Sequence, residues 1–169
     1  MQSISISNIL SMLRYISGFF LRPKVRISYS RGNAGSSEGP GNSLTLKWNY
    51  NIILDNLTNN HALELEIIYT GNLPSIALTE SHIRGLTRIT INQQLNKPVV
   101  RDMVIRARHD FWGELLPEEL RNIELCLRYK NEKGVTFYTI YKKENESETN
   151  SYSIFKCKAG TARHHWKND

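Results

Sequence analysis

The clearest pattern in the chain is a strict alternation of apolar and polar positions. Leu44, Leu46, Trp48, Tyr50, Ile52 and Leu54 alternate with Thr45, Lys47, Asn49, Asn51, Ile53 and Asp55. Successive side chains of a strand point to opposite faces, so this period of two predicts a strand with one face on a core. Leu63, Leu65, Ile67 and Tyr69 alternate with Glu64, Glu66 and Ile68 and predict a second strand. The intervening DNLTNN is turn chemistry, because Asn and Asp bond back to the local backbone and tolerate left-handed geometry. Ile123, Leu125, Leu127 and Tyr129 predict a third strand, with Glu124, Cys126 and Arg128 facing out. Asn131-Glu132-Lys133-Gly134 then returns the chain into Val135, Phe137, Thr139 and Tyr141, the strongest hairpin signal present.

Weaker strand patterns occur at Val25–Tyr29, Leu86–Ile91, Val99–Arg108 and Tyr152–Cys157, with Pro98 at the start of one. The only interior helical candidates are short, at Thr79–Arg84 and a turn at Pro117–Leu120. Residues 31–43, RGNAGSSEGPGNS, hardly contain an apolar side chain and read as a flexible Gly/Ser-rich loop. They lack a Gly-Lys-Ser/Thr ending and lead into a strand, whereas a phosphate-binding loop needs a helix N-terminus. The expected fold is mainly β, an antiparallel sandwich of seven to eight strands with an N-terminal amphipathic helix. A β-barrel is the alternative.

Before the strands, residues 7–21 read SNILSMLRYISGFFL. Ile9, Leu13, Ile16 and Phe20 follow helical spacing, and Leu10, Met12, Phe19 and Leu21 widen the apolar side. Pro23 follows and discourages continuation. A secretory signal would need a positive n-region and a small-residue cleavage site, and neither is present. Two readings remain: a helix lying on a membrane surface, or one packing on its own domain or a second copy. The division expected is a helix over residues 1–22, a sandwich over 23–157 and a basic tail over 158–169.

Charge sharpens this picture. The 169 residues carry a formal +6, from Lys+Arg 22 against Asp+Glu 16. Residues 1–35 hold five basic side chains and no acid, residues 151–169 carry +3, and the body between carries −2. Basic ends around a nearly neutral body suit an acidic membrane surface, or simple solubility, at least as well as a nucleic-acid face, which gathers Lys and Arg on the folded domain. Arg22 and Lys24 would then flank an attachment helix formed by Ile9, Leu13, Ile16, Phe19 and Phe20. Basic residues after such a helix place the rest of the chain on the cytoplasmic side, at the inner face of a membrane. Two cysteines, Cys126 and Cys157, exclude a disulfide-dense scaffold and a four-cysteine zinc module.

The series LKWNYNIILDNLTNNHALELEI, followed later by IELCLRYKNEKGVTFYTIY, resembles immunoglobulin-like sandwich domains of small bacterial proteins. The resemblance covers about residues 24–157. It implies a sandwich behind an N-terminal membrane helix, in an accessory or defence protein without assigned chemistry. Trp48 is present but no cysteine precedes it, so the inter-sheet disulfide of antibody domains is not implied.

Candidate chemistry is sparse. Arg101, Arg106 and Arg108 form a cluster able to grip a phosphate, or to pair with Glu114, Glu118 and Glu119. His109 and Asp110 follow it, but neighbours in an extended chain point apart. His164 and His165 lie near Cys157 in no zinc spacing, so no metal or cofactor is expected. Glu64 and Glu66 share a solvent-facing side of their strand. A stacking platform for nucleic acid would need Tyr138 outward, with Lys142 and Lys143 beside it. The leading expectation is a non-catalytic binding or assembly module, attached through its helix to a membrane surface, a protein partner or a homo-oligomer. Exposed strand edges or end loops would provide recognition. The alternative is a sensor that binds a phosphorylated small molecule or nucleic acid through the arginine cluster.

Overall fold

A computed structural model describes residues 6–38, 43–100 and 116–155. Helix α1 (Ile6–Phe20) precedes eight strands. These are β1 (Val25–Glu38), β2 (Ser43–Asn56), β3 (Ala62–Tyr69), β4 (His82–Ile83), β5 (Arg88–Val100), β6 (Asn122–Lys130), β7 (Thr136–Glu144) and β8 (Ser147–Ser153). One further helical turn, α2 (Glu118–Arg121), follows Pro117 and leads into β6. Two antiparallel sheets result, one in the order β1-β2-β5 and one in the order β4-β3-β6-β7-β8. The chain is therefore mainly β, with two packed sheets and one short N-terminal helix.

The alternation along β2 does what its period requires. Leu44, Leu46, Trp48, Tyr50, Ile52 and Leu54 are all buried, opposite Leu125, Leu127, Tyr129, Phe137 and Tyr141 of the second sheet in a single core. The turn after β2 is held by Asn56. Its Oδ1 accepts from the Thr58 backbone N–H, and its Nδ2 donates to the Asn60 and Arg84 carbonyls. The β6–β7 hairpin forms with Lys130 opposite Thr136, and Gly134 takes φ +77°, where a side chain would be strained.

Three expectations are corrected. The stretch 31–43 is not a loop as far as Glu38, because β1 continues through it and pairs with β2 up to Glu38 opposite Leu44. Ala34 alone of this stretch is an apolar residue packed against the core, yet the backbone groups of its small polar neighbours complete the ladder that the long β2 offers. A bulge between Arg31 and Ala34 accommodates the change, and a Cβ on Gly32 would stand 2.9 Å from the Asn49 carbonyl oxygen. Second, Thr79–Arg84 contains the short strand β4 rather than a helix; His82 pairs with Leu63. Third, the strand expected at Leu86–Ile91 does not end there but continues as far as Val100. A single β5 runs through Asn92-Gln93-Gln94, with the β2 ladder intact from Arg88 to Val100. Residues 101–115 and 156–169 lie outside the described residues.

Outward-facing Cys126 is also less exposed than alternation suggests, at 2%. It sits on the central strand β6, between Tyr69 of β3 and Ile140 of β7.

Candidate functional site

Of the sequence-derived attachment residues, Phe19, Phe20, Arg22 and Lys24 lie at one corner of the sandwich, where α1 ends, β1 begins and the β6–β7 hairpin turns. Asn131 organises this corner. Only 2% exposed, its Oδ1 accepts from the backbone N–H groups of Lys133 and Val135, both at 3.0 Å, and closes the hairpin turn. Its Nδ2 donates to the carbonyls of Gly18 at 2.7 Å and Leu21 at 3.3 Å. The last carbonyls of a helix have no partner within it, so one amide side chain caps α1 and ties it to a hairpin far along the chain. Gly18 is required by proximity, since a Cβ there would come within 2.6 Å of Val135 Cγ2. Exposed Lys133 also lies beside this last turn, where a cation suits the negative end of the helix dipole.

The expected attachment residues divide. Phe19 turns inward and packs edge-on against Phe137, with ring centroids 6.5 Å apart. Arg22, expected on the basic flank, folds back so that its guanidinium lies over the rings of Phe137 at 5.4 Å and Tyr152 at 5.9 Å. These two belong to the domain's own packing, because an aromatic face and an aromatic edge both reward them there. Lys24 is exposed along its stem, with Nζ 4.6 Å from the Tyr152 ring centre. Leu13, Ile16 and Phe20 go the other way. They are 55%, 43% and 82% exposed, and Met12 beside them is 64% exposed. Ile9 is on the helix, but its side chain lies outside the described residues.

Below the helix, backbone groups of β1 and of Pro23 just before it are met by side chains from the other sheet. Tyr129 Oη donates to the Pro23 carbonyl at 3.3 Å, and Thr139 Oγ1 donates to the Val25 carbonyl at 2.7 Å. The Asn150 side chain accepts from Ile27 N–H and donates to Ile27 C=O, each at 2.8 Å, as a neighbouring strand would. Burial pushes the Tyr129 phenol above its ordinary value, opposed by its bonds to Thr139 and the backbone and by nearby Arg22. The corner thus holds the end of α1 firmly while leaving the apolar side of the earlier turns uncovered among the described residues.

Of the other candidates, Glu64, Glu66 and Lys142 are held in ion pairs. Arg101, Arg106 and Arg108 lie outside the described residues. Glu66 pairs with Arg128 and Glu64 with Lys130 across the outer face of the second sheet. Tyr138 faces outward but is only 7% exposed, so it presents little ring face. Lys143 points inward and is satisfied by the carbonyls of Leu120, Arg121 and Asn145. Desolvation lowers its pKa against the pull of Glu148 and Glu146. Lys142 and Lys143 line a cleft of about 140 Å³ with Tyr69, Gly71 and Asn122, where Lys142 is paired with Glu144. Among the described residues, no three His, Cys, Asp or Glu side chains gather where they would hold a metal ion.

Sequence reasoning picked out the apolar spacing of Leu13, Ile16 and Phe20 but missed the contact between Asn131 and Gly18. Both carry local readings, a turn residue and a glycine late in a helix. Nothing local reveals that they touch across more than a hundred residues. No helix among the described residues is long and apolar enough to cross a membrane. No protein-family model matches the chain, and neither does any curated protein or solved structure.

Proposed function

We propose that the chain is a non-catalytic attachment module whose N-terminal helix lies on an anionic membrane surface and holds the sandwich against it. The observation that carries this reading is the apolar side of α1, where Leu13, Ile16, Phe20 and Met12 are all substantially exposed although the helix end is anchored to its own domain. An amphipathic helix of this kind gains by sinking its apolar side into the boundary between headgroups and acyl chains. At 15 residues it spans about 22 Å, less than the ~30 Å hydrocarbon core, so it lies in the interface and does not cross.

Charge selects the anionic surface. Residues 1–35 contain no Asp or Glu and five basic residues, and Lys24 and Lys133 are exposed close to the helix end. Each basic residue near such a surface adds about 1 kcal/mol, so a few reinforce the apolar contact. On this reading the sandwich sits at the cytoplasmic face, and its resemblance to immunoglobulin-like domains of small bacterial proteins supports an accessory or defence role.

Co-sedimentation of the full chain with phosphatidylglycerol vesicles, against phosphatidylcholine vesicles and over a salt series, tests this. Binding to the anionic vesicles is expected to fall with salt. The double substitution Ile16→Ser and Phe20→Ser should weaken it by at least about tenfold, because two apolar side chains lose their burial. Equal binding by the variant, or no binding by the parent chain, overturns the reading.

A further inference from the structure

The three-stranded sheet has two edges, and they are treated differently. The first residues of the β1 edge are met by Asn150 and Glu148 of β8, which bond to the backbone of Ile27 and Tyr29. The β5 edge has no neighbouring strand among the described residues. β5 is 13 residues long, against two residues for β4 and seven for β8, the edge strands of the other sheet. A long, unguarded edge presents a row of unpaired N–H and C=O groups and is a template for another strand.

Which groups face outward follows from the ladder. The Asn56 N–H bonds to the Thr87 carbonyl and the Leu57 N–H to the Lys24 carbonyl. Alternate residues of an antiparallel strand bond to opposite neighbours. Ile89, Ile91, Gln93, Leu95 and Lys97 therefore bond inward to β2, and Arg88, Thr90, Asn92, Gln94 and Asn96 direct their N–H and C=O groups to the open edge. Pro98 falls in the outward set, where its missing N–H costs the β2 ladder nothing.

We infer that this edge pairs antiparallel with the same edge of a second copy, on a two-fold axis at Gln93. The strand is self-complementary in that register. Asn92 meets the partner's Gln94, and Thr90 meets the partner's Asn96, each pair exchanging N–H···O=C bonds between outward-directed groups. On the core-facing side, buried Ile91 meets the partner's Leu95 and half-buried Gln93 meets the partner's Gln93. A shift of the axis to Asn92 or Gln94 sets Ile91 against the partner's Gln93 or Leu95 against the partner's Gln93 and loses this match. Like charges do not meet, because Arg88 falls opposite the partner's Pro98 and Lys97 opposite the partner's Ile89. Both cations are also neutralised within their own chain, Arg88 by Asp55 at 2.5 Å and Lys97 by Glu119 at 2.7 Å. The pairing is that of a symmetric dimer whose sheet continues through both copies.

This inference concerns a surface separate from the helix, and lipid-free solution tests it without touching the membrane reading. The mass of the full chain is measured by light scattering over a concentration series, together with Gln94→Pro and with Ile16→Ser/Phe20→Ser. The parent chain and the helix variant are expected to dimerise alike. Gln94→Pro removes one outward N–H per copy at the centre of the pairing and should weaken association by roughly a hundredfold. Its far-ultraviolet circular dichroism should match the parent. A register check is independent of proline: Asn92→Lys/Gln94→Lys should dissociate the dimer, and Asn92→Lys/Gln94→Glu should restore it by setting opposite charges across the axis. A parent chain that stays monomeric, a Gln94→Pro chain that dimerises unchanged, or a dimer abolished by the helix variant overturns the inference.

Discussion

The corner where α1, β1, β8 and the β6–β7 hairpin meet contrasts with the flank of β5, which has no neighbouring strand among the described residues. At the corner, polar side chains of the second sheet and its hairpin satisfy backbone groups elsewhere in the fold: Asn131 at the end of α1, Tyr129 at Pro23, and Thr139 and Asn150 on β1. Along β5, the inward backbone groups belong to β2 and the outward ones have no partner among the described residues. The difference is in what the two regions are committed to. Side chains of the corner are bonded to backbone across long sequence separations, whereas the outward groups of β5 meet no strand among the described residues.

Substitutions at the corner break that contrast most strongly. Asn131→Ala removes the bonds that close the hairpin and cap the helix, leaves buried N–H groups unmet, and should cost about 3 kcal/mol by chemical denaturation. Gly18→Val forces a branched side chain into Val135 and should cost about 2 kcal/mol, with added protease sensitivity before Pro23 as the helix end is displaced. Asn150→Ala strips the strand-like bonds from Ile27 and should lower stability by about 1–2 kcal/mol.

The flank sharpens the contrast through parity. Gln93→Pro deletes an N–H bonded to β2 and should cost about 2–3 kcal/mol, whereas Gln94→Pro, one residue on, should cost under about 1 kcal/mol. Equal losses at the two positions would contradict the assigned ladder. The smallest effect is expected from pH. Burial opposes ionisation of Asp55, but hydrogen bonds and charge from Arg88 and Arg26 outweigh it and hold the carboxyl below its ordinary value. Glu119 is likewise lowered, by Lys97 and a backbone bond against its burial. A carboxyl lowered by folding adds stability above its unfolded pKa and loses it as pH falls through the folded one. Melting temperature should therefore fall as pH drops below the ordinary carboxylate range, and Asp55→Asn should flatten part of that slope.

The alternating runs were legible because each strand's buried face is written in consecutive residues. Leu44 to Leu54 and Ile123 to Tyr129 needed no partner to be recognised. The continuation of β1 through Gly32, Gly35 and Ser37 was not legible, because its pairing rests on backbone groups that every residue carries. The same holds for β5, where Asn92, Gln93 and Gln94 break the apolar rhythm while the ladder runs on. Within the candidate site, the helical spacing of Leu13, Ile16 and Phe20 was visible. The inward turn of Phe19 and Arg22 was not, because their partners Phe137 and Tyr152 are distant in the chain.

By itself, the sequence determined a mainly β protein with a short apolar helix and basic ends, because periodicity and charge are local properties that survive without a fold. The tertiary structure decided which side of that helix stays open, which side chains cap it, and which sheet edge is left unpaired. Those outcomes depend on hydrogen bonds and packing between residues that only folding brings within reach.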